Sequence, residues 1–137
     1  MVRLALSISS TLLVALPASA QPLKSALKSG EEVYTQVCFA CHAEGVANAP
    51  KFGDRKKWAP LLKEGQAEPT AHGWVGVRGM PAKGGRDDLS LEEFARAAAF
   101  MARAGGGKWQ DPDATMMKRI EAEVKKKVEA DKKKAKK

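Results

Sequence analysis

The chain has 137 residues with a formal net charge of +8, and only two of its residues are cysteines. This length suits one small domain with extensions, and two cysteines exclude a disulfide-rich framework. The charge is uneven, because residues 116–137 hold ten Lys or Arg against four Asp or Glu, whereas residues 21–115 are nearly neutral. We therefore expect a nearly neutral body and a basic tail.

The first twenty residues have the pattern of a secretory signal peptide. Arg3 precedes an apolar run over about residues 4–16, and the small residues Ala18 and Ala20 follow it. A membrane anchor or a buried helix is the alternative, but hydroxyl side chains interrupt the run, and it is shorter than the roughly 20 residues of a membrane span. We expect cleavage after Ala20, export to the periplasm, and no later segment that crosses a membrane.

The remaining chain shows helical periodicity and no strand alternation, so we predict an all-α fold. Ser29 and Glu32 form a capping box that begins a helix leading into the cysteines. Asp54 can cap a short helix around Trp58, which Pro60 should bend or divide in two.

Three further helices are expected. A short one is plausible between Thr70 and Val77, although glycines weaken it. The clearest begins with a second capping box at Ser90 and Glu93 and stops at Gly105. A last helix can start at residues 111–112, with a narrow apolar stripe at Met117, Ile120, Val124 and Val128 and a solvated, frayed, lysine-rich end.

Cys38 and Cys41 are three residues apart, and His42 follows directly. A thioredoxin-like redox site would need a βαβ context, which the pattern lacks. A zinc site would need four ligands, and beyond the cysteines only His42 and His72 offer nitrogen. A plain structural disulfide is a further alternative.

The C-x-x-C-H spacing favours attachment of a c-type haem. Two thiols about one helical turn apart can each form a thioether with a vinyl group of one porphyrin, so Cys38 and Cys41 would tether haem c. His42 would then ligate the iron. The haem would also supply the apolar body that so small a domain otherwise lacks.

A second axial ligand would close the iron to substrates. The candidates are Met80, Met101, Met116, Met117 and His72. Met101 lies on the apolar face of a strong helix and suits the core, and the two later methionines suit packing or the surface. Met80 lies in a loop between Gly79 and Pro81, which could hold a thioether over iron.

These residues resemble the class I c-type cytochromes, and among them the short bacterial c-five subgroup. The resemblance runs from about residue 30 to residue 101. It includes Gly30 and Tyr34 ahead of CFACH, Phe100 as the partner aromatic, the loop of residues 45–54, and MPAKGG followed by the helix after Ser90. It implies the class I cytochrome c fold, with three to five helices around one covalently bound haem.

The resemblance also implies roles for three residues. Met80 would be the axial ligand opposite His42, the Pro50 carbonyl would orient His42, and Trp58 would border the haem propionates. Residues 1–20 would be the signal peptide, 21–107 the cytochrome c domain and 108–137 a lysine-rich helical tail. The extra cysteine pair common in the subgroup is absent, and the extension after Gly107 lies outside the pattern.

Such a protein would be a one-electron carrier rather than an enzyme, with its iron cycling between ferric and ferrous states. The resemblance implies redox partners such as respiratory complexes, oxidases, reductases or dehydrogenases. The alternative is a haem enzyme or ligand sensor with an open iron face, for which His72 is the one unassigned imidazole. The tail could be merely solvated, or it could dock to an acidic partner or an anionic membrane surface. We expect no nucleic-acid partner.

Overall fold

The structure is a computed structural model that describes residues 26–136, so the expected signal peptide lies outside it. Within residues 26–136 the regular elements are helices, apart from one isolated β-bridge between Val77 and Met80. This confirms the all-α prediction. None of the helices in that range is long and apolar enough to span a bilayer.

Three helical segments follow one another without a break: α1 (Gly30–Val33), a π-helical segment (Tyr34–Cys38) and α2 (Phe39–His42). The expected capping box is present, because Ser29 Oγ accepts the Glu32 N–H and the Glu32 carboxylate accepts the Ser29 N–H at 2.7 Å. The π-helical segment ends at the first cysteine. Such segments are rare and often mark functional sites.

This first helical stretch crosses α5 (Leu91–Ala104) at very close range. A Cβ added at Gly30 would overlap the carbonyl oxygen of Arg96, so only glycine permits this approach. One turn later the rings of Tyr34 and Phe100 lie 5.6 Å apart, and Phe52 stacks on Tyr34 at 4.5 Å. The crossing places Cys38 in the main apolar core, and His42, one turn further along the same helical stretch, is also buried.

Helix α3 (Arg55–Glu64) begins where Asp54 Oδ1 accepts the backbone N–H groups of Lys56 and Lys57. Of the two outcomes expected at Pro60, a bend or a division of the segment, the division is wrong, because α3 runs through Pro60 as one helix. Proline removes one backbone hydrogen bond. The hydrogen bonds of the Asp54 cap and the burial of Trp58 stabilise the helix and offset that lost hydrogen bond.

Helix α4 (Ala67–Val75) begins and ends earlier than the predicted span of residues 70–77. Pro69 occupies the first turn, where its missing N–H would have no helical partner in any case. Thr70 Oγ1 donates to the Gln66 carbonyl at 2.7 Å within the same turn. Gly76 then stops the helix at φ +93°, a conformation that favours glycine.

Helix α5 confirms the second capping box and the stop at Gly105. The main apolar core forms around it and includes Val33, Cys38, Trp58 and Phe94. Its buried alanines, among them Ala97, Ala99 and Ala102, let neighbouring helices pack close to its backbone.

Helix α6 (Ala114–Lys134) begins at the cap residue Asp113 and runs through most of the lysine-rich end that we expected to be frayed. It packs against α4 and α5 through Ile120, which is completely buried beside Ala67 and Ala95. Met116, Met117, Val124 and Leu91 surround this second apolar cluster. The predicted stripe of the tail is therefore an interface with the body.

The burial of Ile120 predicts that α6 contributes to global stability. Ile120→Ala should lower the free energy of unfolding by about 2 to 4 kcal/mol, since it removes methylene groups from a packed site. Val128 on the same helix is 37% exposed, so Val128→Ala should cost less than about 1 kcal/mol. Guanidinium denaturation of the haem-loaded proteins, followed by far-UV circular dichroism, measures both. Equal losses for the two variants would mean that α6 is not docked in solution.

Glu93 joins the segment before α1 to the start of α5. Its carboxylate accepts the N–H groups of Ser90 at 3.0 Å and Lys28 at 3.1 Å, and these bonds lower its pKa from 4.5 to about 2. Because the folded pKa lies below the unfolded one, ionised Glu93 stabilises the fold above about pH 4.5, and this contribution is lost as the pH falls toward 2.

Glu93→Gln should therefore destabilise the protein by about 1 to 2 kcal/mol near neutral pH. The difference from the wild type should shrink as the pH falls from about 5 to about 2, because the wild-type carboxylate then becomes protonated. Denaturant titrations at several pH values measure this. Glu129→Gln, at an exposed position of α6, is the control and should show no such trend. A gap that stays constant with pH would contradict the role given to Glu93.

Candidate functional site

Cys38, Cys41 and His42 share one helical stretch but differ in exposure. Cys38 and His42 are buried, whereas Cys41 is exposed. Burial raises the pKa of the Cys38 thiol to about 12, with a smaller contribution from Cys41. Residues three apart lie on one side of a helix, so the two sulfurs line one surface that runs from the core to solvent.

The imidazole of His42 is held by one hydrogen bond. Its Nδ1 lies 2.8 Å from the carbonyl oxygen of Pro50. A carbonyl oxygen can only accept, so Nδ1 carries the proton and the lone pair on Nε2 remains as the donor for a metal. The bond from the Phe52 N–H to the His42 carbonyl, at 2.7 Å, holds the same loop in place.

Met80 lies at the end of a tight turn. Val77 and Met80 exchange two backbone hydrogen bonds, at 3.0 and 2.9 Å, and Arg78 between them has φ +54°. The half-buried Met80 side chain packs against the main apolar core, to which Cys38 also belongs. A Cβ added at Gly73 would lie 3.5 Å from Met80 Cε and 2.9 Å from Phe94 Cζ, so the thioether end lies beside α4.

Trp58 is buried, and its indole N–H donates to the Lys51 carbonyl at 3.0 Å. Its ring packs edge to face on Trp109, with centroids 6.5 Å apart. A Cβ at Gly105 would overlap the Trp58 side chain, so only glycine fits at this position, directly after α5. The indole thus ties the loop before α3 to the chain after α5.

These residues fit a c-type haem. They provide two thiols on one helical surface, an imidazole with only Nε2 free, and a thioether that packs on the same apolar core as Cys38. Over residues 26–136, no three His, Cys, Asp or Glu side chains gather to form a metal site.

Three contacts were not predicted from the sequence: the bond from Trp58 to Lys51, the packing of Gly73 against Phe94 and Met80, and the contact of His72 with α6. His72 Nε2 lies 2.8 Å from Lys127 Nζ. A glycine inside a predicted helix signals a close approach, and Gly73 could have been interpreted in this way.

A family described as cytochrome c oxidase, cbb3-type, subunit III matches residues 25–101. Helix α6 lies beyond that range. Cytochrome c-555 of Prosthecochloris aestuarii is 41% identical over 83 residues, covering 55% of this chain and 84% of that protein. Cytochrome c5 of Azotobacter vinelandii is 37% identical over 76 residues, covering 54% of this chain and 92% of that protein.

A solved structure is also similar. It is the crystal structure of an electron transfer complex of nitrite reductase with cytochrome c. The matched chain is 41% identical with a TM-score of 0.54, and the match covers 56% of this chain and 93% of that one.

Proposed function

Since this chain belongs to the class I c-type cytochromes, which carry one covalently bound haem c, we propose that it is a one-electron carrier with His42 and Met80 as axial ligands. The observation that carries this proposal is the hydrogen bond from His42 Nδ1 to the Pro50 carbonyl. It selects the tautomer that a haem ligand needs and sets the orientation of the ring.

When bound, the haem supplies an iron couple that gains and loses one electron. Cys38 and Cys41 would hold it through two thioethers. The Met80 sulfur is a soft donor that favours ferrous iron, and the apolar core beside it disfavours the higher charge of ferric iron. Both effects raise the reduction potential.

The surface around Cys41 suits electron exchange with a partner. Cys41 is exposed, and Phe39, Val46 and Phe52 nearby in sequence are 56%, 51% and 37% exposed. Phe39 and Phe52 both contact the ring of Tyr34, so these aromatics form one continuous cluster. Exposed apolar clusters often mark protein contacts.

We propose that the protein works in the periplasm after loss of residues 1–20, and that its partners are redox enzymes. The export pattern at the N-terminus supports the location. The similar chain from a complex with nitrite reductase supports the class of partner. We further propose residues 21–107 as the haem-carrying domain and residues 108–137 as an extension docked on it through Ile120.

A haem enzyme or ligand sensor with an open iron face has less support. It would need an acid or base over the iron, and His72 was the candidate. In the structure, His72 is half-buried and its Nε2 lies 2.8 Å from Lys127 Nζ on α6, so this ring nitrogen already has a hydrogen-bond partner.

The assignment of Met80 can be tested with two matched variants. Met80→Leu keeps an apolar side chain of similar size but removes the sulfur. The ferric protein should lose the weak near-red band of sulfur-to-iron charge transfer, and the ferrous protein should bind carbon monoxide. Met101→Leu, at a buried position of α5, is the control and should keep the band. Visible spectra of both purified variants provide the measurement.

The same spectra can contradict the assignment. Loss of the band in Met101→Leu with retention in Met80→Leu would make Met101 the ligand. Rapid binding of carbon monoxide by the ferrous wild type would favour the enzyme or sensor instead.

A further inference from the structure

Helix α6 has two unlike sides. One side carries Ile120 and its neighbours, which are covered by α4 and α5. The other side is exposed and basic. Its exposed cationic residues are Lys118, Arg119, Lys125, Lys126, Lys132, Lys133 and Lys134, and exposed Lys136 follows beyond the end of the helix.

Near their C-terminal ends, α4 and α6 border an open, shallow surface groove of about 490 Å³. Trp74 and Val75 of α4 form one wall. Val128, Asp131, Lys132 and Ala135 form the other. Val128 belongs to the apolar stripe of α6 but is 37% exposed, and it lies outside the cluster around Ile120 to which Val124 belongs.

The indole of Trp74 connects this groove to the candidate haem site. Trp74 packs edge to face on Phe94, with ring centroids 5.6 Å apart. Trp74 and Met80 are both partly buried and pack against the main apolar core. The preceding residue, Gly73, faces Phe94 and Met80 Cε directly. A molecule in the groove would therefore contact the same helix that packs against Met80.

Two lysines lie at the groove among charges of both signs. Lys132 lies in its wall beside Asp131, and Lys83 Nζ lies 5.2 Å from the centroid of the Trp74 ring and 3.7 Å from Asp87 Oδ1. Lys127 is different, because only 14% of its side chain is exposed and its ammonium contacts Glu68 and His72. The cations available to a partner at the groove are thus Lys132 and Lys83 rather than Lys127.

We propose that the groove between α4 and α6 is a docking site for an acidic redox protein. An apolar side chain of the partner would enter against Trp74 and Val128, and its carboxylates would meet Lys132 and Lys83. The redox part of this proposal rests on the proposed electron-carrier function. The groove shares no lining residue with the apolar surface around Cys41, so the carrier would have two chemically distinct contact surfaces.

The mixed charge of the groove favours a protein over a membrane surface. An anionic bilayer would present headgroups to Asp131 and Lys132 alike, whereas a folded partner can place its carboxylates against Lys132 and away from Asp131. A lipid surface would also attract all the exposed lysines of α6 about equally. The binding of a protein partner would depend mainly on the lysines at the groove, because interactions between charges more than about 10 Å apart are screened at moderate salt.

Two charge reversals separate these cases. Lys132→Glu changes the groove, and Lys118→Glu makes the same change in net charge at an exposed position near the start of α6. The probe is reduced flavodoxin, an acidic one-electron donor, mixed with the ferric holoprotein in a stopped-flow instrument. One electron passes from the flavin to the iron, so the flavin is oxidised as the iron is reduced.

At low salt, Lys132→Glu should lower the second-order rate constant about tenfold and Lys118→Glu less than about twofold. The difference should vanish in about 0.5 M salt. Carbodiimide cross-linking of the wild-type complex, analysed by mass spectrometry, provides a readout of docking that does not depend on electron transfer. It should link flavodoxin carboxylates to Lys132 or Lys83.

Equal rate constants for the two variants, or cross-links confined to Lys51 near the Cys41 surface, would overturn the groove as the docking site. So would cosedimentation with phosphatidylglycerol vesicles that Lys132→Glu abolishes while the flavodoxin rate stays unchanged. The electron-carrier function would survive each of these results. That function would fail separately if small redox dyes could not reduce and reoxidise the wild-type haem reversibly.

Discussion

The hydrogen bond from His42 Nδ1 to the Pro50 carbonyl links the chemistry of the site to the fold of the chain. A histidine beside two cysteines can in principle offer either nitrogen, and this bond leaves only Nε2 for a metal. The carbonyl is held in position by the loop that folds back on α2, including the bond from the Phe52 N–H to the His42 carbonyl. Orientation of the ligand therefore depends on backbone contacts rather than on another side chain.

That loop is supported by a close crossing of α1 and α5. Gly30 lets the two backbones approach, and Glu93 accepts the N–H of Lys28 across the same junction. Phe52 stacks on Tyr34, so the aromatic cluster of the crossing also contacts the loop. On the opposite side, α4 packs against Met80 through Gly73, and α6 packs against α4. The basic tail is thus connected through one helix to the second candidate ligand.

Local signals in the sequence predicted local structure well. Both capping boxes and the stop at Gly105 depend on residues within four positions of one another, and all were confirmed. Pro60 does not divide α3, because a buried tryptophan and a strong cap outweigh one lost hydrogen bond. The docking of α6 could not be predicted either. The apolar stripe around Ile120 indicates that α6 packs against something, but it does not identify the surface that α6 covers. The same holds for Gly73, whose neighbours Phe94 and Met80 come from other parts of the chain.

The most direct test of the central claim is the fate of the haem when the holoprotein is extracted with acidic acetone. If Cys38 and Cys41 each hold the porphyrin through sulfur, the colour stays with the precipitated polypeptide, and its intact mass exceeds that of the mature chain by one haem. Release of the porphyrin into the organic phase, with a polypeptide of unmodified mass, would contradict covalent attachment.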